Sequence, residues 1–243
     1  MTPFQSEARH IRRFAALGNL ILDALPKHEY EVVRNRLSKS ALRTAAVLFK
    51  ANQPVRGVYF PINGLVSCFA SNGQGNTVEA YSVGHEGVVE LSAILTGRAI
   101  VLAKVQIPGA ALWIAVDDLY ELLRETTVFP RLLLHYACFV LIRSVLGTTC
   151  AKFHTVEQRL SLWLLLALER TSTQIIHCTH HALAQILGAR RATVTSALQA
   201  LQKAGTLQGA RGQLAIADRL QLEGSACECF DAIRAASNVK IQW

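Results

Sequence analysis

Charged residues are scarce in this 243-residue chain, at 17%, whereas hydrophobic residues make up 51%. This composition argues against an intrinsically disordered protein, which requires the opposite balance. Acidic residues are fewer than basic ones: the chain has 17 Asp and Glu and 25 Lys and Arg, which gives a formal net charge of +8. A basic surplus favours a polyanionic partner, either nucleic acid or an anionic membrane face.

Several patterns that carry catalytic chemistry are missing. The sequence has no Gly-rich phosphate loop, no nucleophile elbow, no metal-ligand pair on one helix and no convincing pair of carboxylates. The run Thr179-His180-His181 could be mistaken for a catalytic site, but it falls at the predicted start of a helix. We therefore expect no enzymatic activity and no catalytic residue.

Membrane and export signals are also lacking. The most apolar run, Leu132 to Leu146, contains His135 and Arg143 and is shorter than the roughly 20 apolar residues of a membrane span. The N-terminus does not have the charged and then apolar pattern of a signal peptide. We therefore expect a cytoplasmic protein without a membrane partner.

The six cysteines have no paired framework spacing, which indicates reduced thiols. Cys227 and Cys229, together with Cys178 and the histidines at positions 177, 180 and 181, raise the question of a zinc site. They lack CxxC and HxxxH spacing, so the sequence predicts no metal and no cofactor.

The pattern of apolar residues along the chain changes twice. Residues 17–40 have helical spacing, and Leu42 to Trp113 consists of short β-branched and aromatic runs separated by turn residues, which predicts a β-sandwich, barrel or jelly roll. Helical spacing of the apolar residues returns at Val116. A long helix is predicted from about Pro130 to Lys152, and another from about Thr155 to Arg170.

The long helix is apolar around most of its circumference, so both sides must be covered. One side can pack on the β domain, and a matching helix of a second subunit is the simplest cover for the other. Burial within one large core is the alternative. The side chains expected at the dimer contact are Leu132, Tyr136, Phe139, Val140 and Leu146.

Residues 178–204 predict a helix-turn-helix. Thr179 can cap a first helix with Leu183, Ile186 and Leu187 facing inward, and Gly188 can end it with a positive φ. A second helix follows, with Val194, Leu198 and Leu201 on its inner side. From Arg170 to Arg219 there are six Lys and Arg but one acid, Asp218, which favours DNA over an ordinary core hairpin. Residues 206–216 read as a two-stranded wing.

The motifs of the chain, taken in order, resemble those of the Crp/Fnr family of transcription regulators. They are Val58-Tyr59-Phe60-Pro61 with Gly64-Leu65-Val66-Ser67, Val156-Glu157-Gln158-Arg159-Leu160 with Trp163-Leu164-Leu165, Leu183-Ala184-Gln185-Ile186-Leu187-Gly188, Arg190-Arg191-Ala192-Thr193-Val194-Thr195, Arg211-Gly212, Asp218-Arg219 and Cys227-Glu228-Cys229-Phe230. The resemblance implies an α+β protein. It would comprise a cyclic-nucleotide-binding-like jelly roll (17–128), a dimerisation helix (129–152) and a winged helix-turn-helix (153–230).

The expected DNA contacts combine the resemblance with the exposed side of the second helix. They are Thr179, Arg190, Arg191, Ala192, Thr193, Thr195, Ser196, Gln199 and, at the tip of the wing, Arg211. Arg191 is the strongest candidate for a base contact, since arginine bonds guanine with two parallel hydrogen bonds. Ala192 and Ser196 depart from residues common in the family, which implies a different half-site.

Relatives that bind cyclic AMP hold the ribose with a glutamate and the phosphate with an adjacent Arg-Ser pair. Glu90 matches the glutamate, but Arg98 arrives early and is followed by Ala99. We therefore expect an effector other than cyclic AMP, or none, with Glu90 and Arg98 as the candidate contacts. The expected partners are double-stranded DNA, a second copy of the chain and RNA polymerase. The alternative is a small-molecule sensor whose C-terminal helices contact other proteins.

Overall fold

A computed structural model describes residues 17–171, 173–209 and 212–237. Two short helices, α1 (Leu20–Asp23) and α2 (Lys27–Arg34), precede the first strand. The helical prediction for 17–40 is therefore wrong at its end, where Ser38–Leu42 forms strand β1. This segment pairs with residues 109–113, a contact too distant in sequence for local periodicity to reveal.

Seven strands form the two sheets of a jelly roll, and the β prediction for Leu42 to Trp113 is confirmed. Their bounds are β1 (Ser38–Leu42), β2 (Val47–Phe49), β3 (Gly57–Pro61), β4 (Leu65–Ser71), β5 (Thr77–Val83), β6 (Leu102–Ile107) and β7 (Gly109–Ala115). One sheet has the order β1-β7-β3 and the other β2-β6-β4-β5, with antiparallel pairing throughout. The apolar side chains of both sheets face a shared core that includes Val58, Phe60, Leu65 and Ile114.

A short helix, α3 (Ala93–Thr96), lies between β5 and β6, and two helices follow β7: α4 (Val116–Glu125) and the long α5 (Val128–Phe153). Glu29 of α2 caps α5 from outside, because its carboxylate accepts the backbone N–H groups of Thr127, Val128 and Phe129 at 2.9 Å. Burial alone would raise the pKa of Glu29, but these N–H donors lower it on balance. The cap lets α5 begin two residues before Pro130.

The two sides of α5 differ. Tyr136, Phe139 and Arg143 are buried against the rest of the same chain. Leu134, Leu141 and Val145, by contrast, are 67%, 64% and 58% exposed.

This burial revises the set of side chains predicted for a dimer contact. Leu132, Tyr136 and Phe139 are covered within the chain itself, and Val140 and Leu146 are half-buried. The sequence could not separate the two sides of the helix because both are apolar. Exposed apolar residues recur instead at positions 134, 141 and 145.

By length and composition alone, α5 is also apolar enough to cross a membrane. This corrects the expectation that no segment qualifies. The helix contains Arg143, which donates from Nη1 to the carbonyl oxygen of Ser82 in β5 at 2.9 Å. The same criterion is met by core helices, so it is weak evidence for a span.

The remaining elements form the C-terminal domain. They are α6 (Val156–Arg170), β8 (Ile175–His177), α7 (His180–Leu187), α8 (Arg191–Lys203), β9 (Leu207–Gln208), β10 (Gln213–Ile216), α9 (Arg219–Ser225) and α10 (Cys229–Ser237). Thr155 and Gln158 form a capping box at the start of α6, next to the bend at His154 that separates it from α5. The α+β architecture predicted from the sequence is confirmed.

Candidate nucleic-acid interface

Helices α7 and α8 form the helix-turn-helix that the sequence predicts. The Thr179 hydroxyl accepts from the backbone N–H of Ala182 at 3.1 Å and so caps α7. Gly188 ends that helix with φ 56° and ψ 40°, the left-handed conformation that glycine adopts without strain. Helix α8 begins three residues later, at Arg191.

The inner side of this unit is apolar and well covered. Leu183, Ile186 and Leu187 of α7 are buried, as are Val194 and Leu198 of α8. Burial of these side chains fixes the angle between the helices and leaves the opposite side of α8 facing solvent.

The outward side of α8 is polar and basic. Its exposed residues are Arg190, Arg191, Ala192, Thr193, Ser196, Gln199 and Lys203. No acidic residue occurs between positions 171 and 217 of the sequence. No carboxylate of this stretch therefore offsets the positive charge of the two arginines at the tip, which leaves the tip suited to an anionic partner.

Thr195 has a different environment from its neighbours. It is half-buried, its hydroxyl donates to the carbonyl of Arg191 at 3.0 Å, and it lies 2.9 Å from Nδ1 of His180. Its hydroxyl thus joins the two helices, while Ser196 beside it remains exposed and bonds only the carbonyl of Ala192.

The predicted wing is present as an antiparallel pair of β9 and β10. Strand β8, which the sequence analysis missed, adds a third strand on the other side of β10. Its three residues are too few to give a periodic signal. Arg211, predicted at the tip of the wing, lies outside the described residues.

The comparisons with known proteins agree with this geometry. Residues 158–224 match the model of the Crp-like helix-turn-helix domain. This part of the chain is therefore a Crp-like helix-turn-helix domain. Among curated proteins, none matches the chain significantly.

Solved Crp/Fnr structures share the fold over most of the chain. FixK2 from Bradyrhizobium japonicum has a TM-score of 0.66 at 16% identity, covering 79% of this chain and 98% of its own. A putative Crp/Fnr regulator from Eubacterium rectale has 0.66 at 15%, covering 84% and 96%. The c-di-GMP-responsive regulator CLP from Xanthomonas campestris has 0.61 at 17%, covering 79% and 100%. At 15–17% identity, the likeness establishes that this chain shares the fold of these structures.

The two residues predicted to contact an effector differ in burial and in hydrogen-bond partners. The Glu90 side chain is fully buried, with φ 69° at its backbone, and accepts from the Ser92 hydroxyl. Among the described residues its Oε2 has no hydrogen-bond partner, and burial raises its pKa. Arg98 is exposed and donates to the carbonyl of Asn52 at 2.8 Å. Arg98 is therefore paired with a backbone carbonyl and not with the Glu90 carboxylate.

A buried polar junction joins the jelly roll to the helices, and the sequence analysis missed it. Arg170 of α6 forms an ion pair with Glu86, with Nε 2.7 Å from Oε1, and donates to the Ser82 hydroxyl at 3.0 Å. Arg143 of α5 bonds the carbonyl of the same serine. Burial, followed by the charge of Arg170, lowers the pKa of Arg143 to about 10.

Strand β5 also touches the helix-turn-helix directly. Trp163 of α6 donates from Nε1 to Glu79 of β5 at 3.3 Å, and α7 packs against the same strand. Gly188 lies so close to Val78 that an added Cβ would be 2.9 Å from its Cγ2 atom. One strand of the jelly roll, β5, therefore contacts the long helix α5, α6 and the turn before α8.

Between the two domains lies a cavity of about 380 Å³. His85 and Glu86 of the jelly roll, Tyr136 of α5, Arg170 of α6 and Ile233 of α10 are among the residues that line it. Its lining combines apolar side chains with polar and charged ones.

Proposed function

We propose that this protein is a sequence-specific DNA-binding transcription regulator that acts as a homodimer on a two-fold symmetric site. The observation that carries the proposal is the exposed, acid-free tip of α8, where Arg190 and Arg191 stand outward on a winged helix-turn-helix. In this motif the second helix enters the major groove with its first turn against the bases. We also propose that the protein is cytoplasmic, since it needs access to DNA, and that it contacts RNA polymerase.

Selection of duplex fragments from a random pool tests both halves of this proposal. We expect a consensus of two inverted half-sites whose centres lie about one helical turn, roughly 34–36 Å, apart. Affinity for the selected site should fall steeply as salt rises, because bound phosphates release counterions. A pool that yields no consensus, or binding that ignores salt, would favour the alternative of a sensor whose helices contact proteins.

The outer side of α5 supports the homodimer. Leu134, Cys138, Leu141, Val145 and Thr148 are exposed and follow alternating steps of four and three residues. That spacing averages 3.5 residues, the repeat of a left-handed coiled coil. A second copy of the same helix would cover this stripe and place two α8 tips on one side of the pair.

Substitution of the central leucine tests this contact. Leu141→Glu places a charge in the middle of the stripe, and we expect a monomer by light scattering at concentrations where the native protein is a dimer. The matched control is Leu220→Glu, because Leu220 of α9 is 80% exposed and lies off the stripe. If both variants remain dimeric, the subunit contact lies elsewhere.

We further propose that any effector differs from cyclic AMP. Arg98 is bonded to Asn52, Ala99 stands where a serine partner would be needed, and a buried phosphate without partners would be costly. The interdomain cavity beside Arg170 is the better candidate for a ligand. Titration calorimetry with cyclic AMP should show no heat of binding, and saturable binding would overturn this assignment.

A further inference from the structure

Three cysteines and a histidine meet where the long helix ends. Cys150 lies in the last turn of α5, His154 follows that helix directly, and Cys227 and Cys229 stand at the start of α10. The Sγ atoms of Cys150 and Cys227 are 3.6 Å apart, and Nδ1 of His154 is 3.7 Å from Sγ of Cys229. All four potential ligand atoms lie within 4.8 Å of one another.

Two of these separations, 3.6 Å and 3.7 Å, match the edges of a tetrahedron around one ion. Zinc bonds of about 2.3 Å to sulfur and 2.0–2.1 Å to nitrogen imply edges of about 3.8 Å between two sulfurs and about 3.6 Å between sulfur and nitrogen. The two distances given above agree with these values to within the tolerance used for metal sites. An iron–sulfur cluster fits less well, because its protein ligands bind different iron atoms and must stand further apart.

The surroundings also suit a metal. The three cysteines are buried, at 5%, 3% and 4% exposure, and the His154 side chain is 11% exposed. Nε2 of His154 lies 3.1 Å from the Glu228 carboxylate, which leaves Nδ1 facing the sulfurs. A carboxylate on the outer nitrogen is the usual arrangement behind a metal-bound histidine, since it fixes the ring and its tautomer.

We propose that Cys150, His154, Cys227 and Cys229 bind one Zn²⁺ ion in a closed, structural Cys₃His site. Binding converts three thiols to thiolates and releases three protons, so that two positive charges of the ion meet three negative sulfurs. Four protein ligands leave no open position for a substrate. The ion would join the end of α5 to α10 across the bend at His154, and so fix the DNA-binding domain relative to the long helix.

Metal analysis of the full-length protein, purified under reducing conditions, tests the site. We expect one zinc per chain, and replacement by Co²⁺ should give the intense visible absorption of a tetrahedral thiolate site. Cys229→Ser should lose that absorption. Cys178→Ser is the matched control, since Cys178 is a buried free thiol outside the cluster, and it should retain both metal and spectrum.

A second variant guards against misfolding of the cysteine mutant. Glu228 is 81% exposed, so Glu228→Gln leaves the core intact. We expect it to keep the Co²⁺ spectrum but to bind zinc about 10- to 100-fold more weakly in competition with a chelator. A folded native protein that takes up neither Zn²⁺ nor Co²⁺ would overturn the proposal. A second result would also overturn it: a Cys150–Cys227 disulfide, found by mass spectrometry in metal-free protein purified without reductant, if this protein still binds no metal after reduction.

Discussion

Arg143 and Arg170 lie buried where the jelly roll meets the helices, whereas Arg190 and Arg191 stand exposed at the tip of α8. The buried pair bonds a carbonyl, a hydroxyl and a carboxylate, each within 3.0 Å. The exposed pair lies in a stretch of sequence that contains no acid. Arginine thus holds parts of the fold together where the chain itself supplies the hydrogen-bonding partners. Where the chain supplies no partner, the guanidinium group remains available to an external anion.

Removal of a buried arginine should have the largest effect. Arg170→Met leaves the Glu86 carboxylate, 13% exposed, without its charge partner, and we expect the free energy of unfolding to fall by about 3–5 kcal/mol. Urea denaturation followed by circular dichroism measures it. Arg219→Met is the control, because Arg219 forms half-exposed ion pairs with Glu223 and Glu169 and should cost less than about 1 kcal/mol. Equal losses of stability in the two variants would mean that the buried junction contributes no more than a surface ion pair.

Removal of an exposed arginine should affect binding and spare stability. Arg191→Ala should weaken affinity for the selected duplex by about 1–3 kcal/mol and relax preference at one base pair. Fluorescence anisotropy on the selected and a scrambled duplex measures both. Arg43→Ala, which removes an exposed arginine before β2 of the jelly roll, is the charge-matched control. Equal weakening on both duplexes would mean that Arg191 contacts phosphate instead of a base.

The smallest change is expected from the far end of the same helix. Lys203 is exposed at the C-terminus of α8, away from the tip. Lys203→Ala should lower affinity equally on all sequences and reduce the slope of log affinity against log salt by about 1. A changed base preference in this variant would show that α8 reads DNA along its length.

The helix-turn-helix was predictable almost residue by residue because its determinants are local. The hydroxyl cap at Thr179, the positive φ at Gly188 and the apolar stripe of Val194, Leu198 and Leu201 each act within a few residues. A single sequence displays such signals directly.

The domain junction was not predictable because its contacts are distant in sequence. Ser82 lies 61 residues from Arg143 and 88 from Arg170. The cluster of Cys150, His154, Cys227 and Cys229 has the same difficulty, since 77 residues separate Cys150 from Cys227. Only the fold shows that Cys178 and its neighbouring histidines lie outside the cluster, and that Cys150 and His154 complete it.

The position of Gly188 has a consequence for how the protein would approach a duplex. The turn that aims α8 rests on Val78 with room for a hydrogen atom but not for a methyl group. Gly188→Ala would therefore push strand β5 and the turn apart. It would also place a residue with a Cβ in the left-handed conformation, which is strained for residues other than glycine. The turn before α8 thus rests directly on strand β5, with no loop between them, so the packing of that strand bears on the orientation of α8.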